Sequence, residues 1–201
     1  FNGVTSPVHD GGLGFGLKWM MGWMNDTLEF FQRDPIYRTH HHYDISRSLT
    51  YAFSENYALP LSHDEVVHGK QSLIYKMPGD EWQQFANLRL LYTYMYTHPG
   101  SKLLFMGCEI GQTSEWDVNE SIPWDLLQYK PHKGIQNTIK TLNKTYKNCP
   151  SLYEKNYNPE GFSWIDYGDT ENTVLSYLRH GHDSHVVVVL NFSPVVRQGY
   201  R

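Results

Sequence analysis

The stretch YALPLSHDEVVHGK, Tyr57 to Lys70, decides how this chain is read. A short apolar run stops abruptly at His63, Asp64 and Glu65. A buried parallel strand that ends in this way delivers polar side chains to the mouth of a site. The layout recurs on both sides. GLGFGLKW at Gly12–Trp19 and KLLFMGCE at Lys102–Glu109 are also short apolar runs ending in polar or aromatic residues, and each adjoins a helix-length amphipathic segment. Strand–helix alternation with chemistry at the carboxyl ends of strands is the pattern of an α/β fold, a (β/α) barrel or a related parallel sheet.

Outward from this core, Phe1 to Gly16 is rich in Gly, Pro and Asn and reads as a loop. Apolar residues at Trp19, Met20, Trp23, Met24, Leu28 and Phe31 repeat at helical spacing, and Asp34-Pro35 stops that helix. A second helix is expected from Ile45 to Phe53 with Asp44 as its cap. Asp80 caps a strong helix over Glu81–Thr97, whose apolar face includes Phe85, Leu88, Leu91 and Met95, and His98-Pro99-Gly100 ends it. Gly111–Gln128 reads as a loop and Gly134–Tyr146 as a helix. From about Ser151 the texture changes: GFSWIDYGD, TVLSYLRHG and SHVVVVLNFSP read as antiparallel strands. The boundary is placed near Cys149-Pro150. Three strand–helix units cannot close a barrel that takes eight, so the chain reads as a piece of something larger.

Composition narrows the function. The 201 residues carry a formal charge of −4, which offers no basic field to phosphate backbones and argues against nucleic acid as a partner. Aromatic residues make up 15% of the chain, a load that suits stacking against sugar rings and that core packing explains equally well. Cys108 and Cys149 have no CxxC partner and are expected to be buried free thiols. The longest aliphatic run, Val186 to Leu190, is far below the roughly 18 apolar residues of a membrane span. No membrane partner is expected, and the opening residues show no secretory signal.

The run HDEVVH lacks the histidine spacing of a zincin, since His63 and His68 are five apart, and His40-His41-His42 point in different directions, so no metal site is expected. A GxSxG elbow is absent, and GGLGFG is not a dinucleotide fingerprint. The carboxylates remain. Asp64 and Glu109 end neighbouring parallel strands, so spacing alone allows them to flank a glycosidic bond as acid and nucleophile; it equally allows Glu109 to be a scaffold acid and Asp64 or Glu65 a helix cap.

At these residues the chain resembles the glycogen (1,4-α-glucan) branching enzymes of the α-amylase superfamily. SPVHDGGLGFGLKWMMGWMNDTL, YAFSENYALPLSHDEVVHGK, MPGDEWQQFANLRLLYTYMYTHPGSKLLFMGCEIGQ and the pair Glu115-Trp116 follow that family's motifs in order, and the resemblance covers nearly the whole chain. Position 20 departs from the family's usual Asn, being Met20.

The resemblance implies a catalytic (β/α)₈ barrel followed by a C-terminal β-sandwich. Residues 1–150 would supply the last three strand–helix units and residues 151–201 the start of the sandwich. The family's aspartate nucleophile and glutamate general acid/base lie on earlier strands, which would fall upstream of Phe1. Asp64 matches the third catalytic carboxylate, a transition-state stabiliser that with His63 hydrogen-bonds the hydroxyls of the sugar at the cleaved bond. Glu109 then becomes a structural acid. Lys18, Trp19 and Trp23 are the further expected substrate contacts, with core packing as the alternative for both tryptophans.

The implied reaction is a double displacement that cleaves an α-1,4 bond and passes the chain to a 6-hydroxyl of another glucan. It needs no metal or organic cofactor, its partner is an α-1,4-glucan, and its location is cytoplasmic. Another hydrolase or glucanotransferase of the superfamily, or a non-catalytic glucan-binding module, are the alternatives.

Overall fold

The computed structural model describes residues 3–201. Among them the strands form two three-stranded sheets. The first is parallel, in the order β1 (Lys18–Trp19), β2 (Tyr57–Leu61), β3 (Ser101–Leu104). Between β1 and β2 run α1 (Met21–Gln32) and α2 (His42–Ser46); between β2 and β3 run α3 (Leu73–Lys76) and α4 (Glu81–Thr97). After β3 comes α5 (Lys130–Asn148), and then the second sheet, antiparallel in the order β4 (Phe162–Asp166), β5 (Val174–His180), β6 (His185–Asn191).

All five residues of β2 are buried, as expected of a central parallel strand covered on both faces. It nonetheless contains Pro60, which has no N–H to give to a ladder. The register explains this. Lys18 and Met20 donate to the carbonyls of Asn56 and Ala58, so the even-numbered positions of this strand face β1, and Pro60 falls beyond the end of β1. The carbonyl of Met20 accepts instead from Met24 N at 3.2 Å and starts α1.

α4 follows its local signals. Asp80 and Gln83 form a reciprocal capping box, and Phe85, Leu88, Leu91 and Met95 are all buried. At its far end Gly100 adopts φ +114°, and a Cβ there would meet the Tyr57 carbonyl at 3.1 Å. α5 begins a turn earlier than the sequence suggests, with Pro131 in its first turn.

Two expected elements are corrected. The strand expected over Gly12–Trp19 is only Lys18–Trp19, because the preceding loop folds back on itself: Leu13 N donates to Gly3 O and Phe15 N to Val4 O. Gly12 packs so closely on Ser6 that a Cβ would lie 2.1 Å from its carbonyl oxygen. Glu55 locks this loop, accepting from the N–H groups of Gly3, Val4 and Thr5 and from Thr5 Oγ1. Burial pushes its carboxyl up, but those hydrogen bonds outweigh it and hold the pKa at about 2.

The helix expected from Ile45 to Phe53 is instead a string of short turns, Pro35–His41, α2 and Arg47–Thr50. The Ser46 hydroxyl bonds back to the carbonyls of His42 and Tyr43, and Thr50 Oγ1 to Arg47 O, competing with the helix ladder. Asp44 is not a cap; its carboxylate lies 3.2 Å from His41 Nδ1.

The two sheets share one core. Phe30 and Phe31 of α1 pack edge-on against Phe192, just past β6. Arg38, fully buried, donates to Phe31 O and Phe192 O, and burial lowers its pKa to about 10. The segment from Pro150 to Gly161 is turns, and the antiparallel strands begin at Phe162, inside the expected GFSWIDYGD run.

β1 and β3 are the edges of the parallel sheet. Val8, Leu13, Phe15, Leu17 and Trp19 stand exposed on and before β1, and Met21 just after it. No helix among the described residues is long and apolar enough to cross a membrane.

Candidate active site

The turn His63–Glu65 begins where β2 ends. Ser62 starts it: its Oγ accepts from Asp64 N, while the buried Glu65 carboxylate reaches back to Ser62 N. Ser62 is therefore the N-cap and Glu65 its reciprocal partner, and this closure fixes which way the next side chains leave the turn. Those of His63 and Asp64 go outward, 45% and 53% exposed, with His63 Nε2 at 3.2 Å from Asp64 Oδ1. The His63 ring lies against the rings of Phe105 and Trp116, at 5.9 and 5.8 Å between centroids. Phe105 N continues the ladder to Leu61 O, so the His63–Asp64 pair sits at the carboxyl end of the parallel sheet.

The other candidates divide. Lys18 is paired with Tyr57, the first residue of β2, and its ammonium lies 3.4 Å from Glu55, at the opposite end of the sheet from Asp64. Its expected sugar contact gives way to anchoring of the amino-terminal loop. Trp23 is completely buried, stacked on Tyr94 and tilted against His98, so the core-packing alternative holds and it presents no surface to a ligand. The helical repeat that flagged Trp23 is the reason: it lies on the face of α1 turned to α4. Trp19 keeps 40% of its surface exposed, but it pairs with Ala58, and about 10 Å of strand separates Ala58 from Leu61, where the loop of Asp64 starts. Met20 is buried at the top of β1, an apolar position in this chain.

Two residues that the sequence reading named only as part of a motif, with no role at the site, also meet it. Glu115 accepts from Gly69 N at 3.1 Å and from Gln71 N at 2.7 Å, and those donors, Gln71 first, hold its carboxyl below the usual range. Trp116 N donates to Val66 O at 2.8 Å. Lys76, its pKa lowered by burial, donates from its ammonium to Lys70 O. The loop that follows Asp64 is thus held from both sides.

Beside it a cavity of about 10 Å³, the size of one water, is lined by Ser72, Cys108 and Trp116 among others. Burial raises the Cys108 thiol to about 12, leaving it protonated and unreactive. Glu109 is half-buried in the turn Cys108–Ile110. A much larger concavity, about 700 Å³, lies elsewhere, between α4 and the segment after β6; its size does not make it the site, because the outward acid–histidine pair is at the sheet end. Among the described residues no group of three or more His, Cys, Asp or Glu is placed to hold a metal ion.

Residues 164–201 match the family model for the alpha amylase C-terminal all-beta domain. The chain is 60% identical over 198 residues to a 1,4-alpha-glucan branching enzyme of Nitrosococcus oceani, covering 98% of this chain and 26% of that protein. It is 57% identical over 200 residues to the branching enzyme of Aquifex aeolicus, covering 98% of this chain and 32% of that one. Over nearly its whole length the chain thus matches branching enzymes, at 53–60% identity. It spans between a quarter and a third of the length of these curated relatives.

Among solved structures it resembles an alpha-amylase from H. orenii, with a TM-score of 0.57 at 16% identity, covering 96% of this chain and 42% of that one. It also resembles a cyclic alpha-maltosyl-(1→6)-maltose hydrolase from Arthrobacter globiformis, with a TM-score of 0.55 at 14% identity over 87% of this chain and 37% of that one. These likenesses show the fold: the chain is alpha-amylase-like, mixed helix and sheet with an all-β C-terminal part.

Proposed function

We propose that this segment is the part of a 1,4-α-glucan branching enzyme that stabilises the transition state at the cleaved bond. The observation that carries the reading is the outward His63–Asp64 pair, 3.2 Å apart, at the carboxyl end of the central parallel strand of a chain that matches branching enzymes. Residues 1–150 are then the last three strand–helix units of a (β/α)₈ barrel and residues 151–201 the opening of its C-terminal β-sandwich. The nucleophile and the general acid/base come from the part of the full protein that precedes this one.

Asp64 is exposed and free to turn its second oxygen to a ligand, so it grips two hydroxyls of the glucose ring as that ring flattens toward an oxocarbenium ion. Hydrogen bonds that shorten only as the ring distorts raise turnover; hydrogen bonds equally good in the ground state would only tighten binding. His63, held by Phe105 and Trp116, sets the orientation of the acid and adds a donor of its own. The covalent glucosyl intermediate is then collected by a 6-hydroxyl of a second glucan, and two inversions leave the α configuration unchanged. The substrate is an α-1,4-glucan chain. We place the protein in the cytoplasm, in keeping with its family and with Cys108 and Cys149, both free.

The full-length protein is to be incubated with linear α-1,4-glucan and its products treated with a debranching enzyme. New α-1,6 linkages are expected; release of reducing ends without any α-1,6 linkage would make it a hydrolase instead.

A further inference from the structure

We infer that Glu115 and Trp116 form a clamp that positions the His63–Asp64 pair, so that Glu115 is a positioning residue of the glucan site. The inference deepens the functional reading above and rests on Asp64 acting at the reacting sugar.

The clamp joins segments 46 residues apart. Both oxygens of Glu115 are engaged, Oε2 by Gly69 N and Oε1 by Gln71 N. Gln71 sits at φ +64°, in the left-handed region where a side chain other than Gly, Asn or Asp is uncommon, and Gly69 precedes it at +83°. A backbone so placed persists only where its surroundings hold it, and Glu115 supplies two of the holding bonds. The next residue completes the grip: Trp116 N donates to Val66 O, and its indole meets the His63 ring edge-on, 5.8 Å between centroids. One dipeptide therefore holds three backbone points of the segment that follows Asp64 and one face of the histidine beside it.

Glu115 is not a core residue. Its side chain is 31% exposed, and its ion-pair partner His68, at 3.3 Å, is fully exposed, so that ion pair itself contributes little. Loss of the carboxylate leaves α4 and the sheet untouched and loosens the loop alone. Misplacement of Asp64 by about 1 Å weakens hydrogen bonds made at the transition state, which lowers kcat and leaves KM where it was.

The test uses the full-length protein carrying Glu115→Gln or Trp116→Phe, with kcat and KM for branching of linear α-1,4-glucan, the melting temperature, and amide exchange at Gly69 and Gln71. Gln keeps one acceptor oxygen for two donors; Phe keeps the backbone bond to Val66 and withdraws the indole from His63. We expect kcat of Glu115→Gln to fall about ten-fold or more with KM and melting temperature unchanged and with faster exchange at Gly69 and Gln71. Trp116→Phe is expected to change in the same sense by less. Unchanged kcat in both variants overturns the clamp, as does a raised KM at intact kcat, which would mean direct glucan contact. A kcat loss that tracks a lower melting temperature and exchange raised across the sheet also overturns it, as a role in stability alone. A wild-type protein that forms no α-1,6 linkages overturns the functional reading and the clamp with it, whereas an active wild type with unaltered variants overturns the clamp alone.

Discussion

Arg179 of β5 donates from Nη1 to the carbonyl of Thr97, the last residue of α4, at 2.7 Å. The rest of its guanidinium reaches Gly161 O, Leu152 O and Asn156 Oδ1, so one completely buried side chain ties β5 to the end of α4 and to three points of the segment Pro150–Gly161. Burial lowers its pKa to about 10, which leaves it charged at neutral pH. A lysine carries the same charge but reaches out from a single point and satisfies fewer of these separated acceptors. Arg179→Lys is therefore expected to destabilise the full-length protein by about 2 kcal/mol or more, since buried carbonyls lose their donors. Urea unfolding measures it; a change near zero would mean that the antiparallel sheet is held by its apolar core alone.

Asp64 stands outside the core, which separates chemistry from stability. In the full-length protein Asp64→Asn keeps the size of the side chain and loses the charge that answers a developing oxocarbenium ion. A drop of at least about a hundred-fold in kcat is expected, with glucan affinity and melting temperature retained. Branching at the wild-type rate, read by debranching of the products, would remove Asp64 from the mechanism.

Local signals account for what the sequence shows of this fold. Asp80 and Gln83 lie three residues apart and the apolar positions of α4 repeat every three or four, so the helix and its start are both legible. The end of β2 at His63 and Asp64 is legible in the same way. Three features are not, because each depends on partners distant in the chain. The strand at Gly12–Trp19 is shortened by Glu55, which gathers the N–H groups of residues 3 to 5. Trp23 cannot be assigned to surface or core until Tyr94 and His98 are brought beside it. Glu115 and Trp116 belong to a motif that the sequence displays, but nothing in it tells which backbone N–H groups the carboxylate will meet. The helix expected over Ile45–Phe53 fails for a local reason, the serine and threonine hydroxyls that bond back to the chain.

Glu65 prepares the turn that Asp64 leaves from. Glu65→Ala leaves the buried Ser62 N–H without a partner, and a loss of roughly 0.5–2 kcal/mol is expected in unfolding experiments, the ordinary cost of a missing cap. Turnover is expected to fall as well, because the capping box fixes the direction of the His63 and Asp64 side chains. Glu65→Gln can still accept from Ser62 N and is expected to recover most of both. Equal damage from Ala and Gln would locate the importance of Glu65 in its charge beside Lys76.

The isolated 201-residue chain is expected to self-associate and to show no branching activity. β3 lies at one edge of the parallel sheet, and Leu13, Phe15, Leu17 and Trp19 lie exposed on and before β1 at the other. Edges and apolar patches of this kind recruit other chains. Sedimentation velocity distinguishes the outcomes; a monodisperse monomer would show that these surfaces are tolerated in water.

Acid should weaken the fold through His98 before it does so through Glu55. His98 Nδ1 faces the Pro99 carbonyl at 2.7 Å and therefore carries the proton, and Nε2 accepts from Ser48 Oγ at 2.9 Å. Burial pushes the imidazole pKa from 6.5 down to about 3, helped by the positive charges of Lys102 and Arg179. The folded state thus favours the neutral ring, so stability is fully present above pH 6.5 and is lost as pH falls toward 3, at up to about 1.4 kcal/mol per pH unit. Glu55, held near 2 against a usual 4.5, keeps its contribution above pH 4.5 and loses it only between there and 2. His42, also lowered by burial, acts in the same sense as His98. In urea unfolding of the full-length protein, the stability difference between wild type and His98→Asn is expected to shrink as pH drops from 6.5 to 4.5, because only the wild type has an imidazole to protonate on unfolding. Parallel curves over that range would show that His98 already takes up its proton in the folded protein.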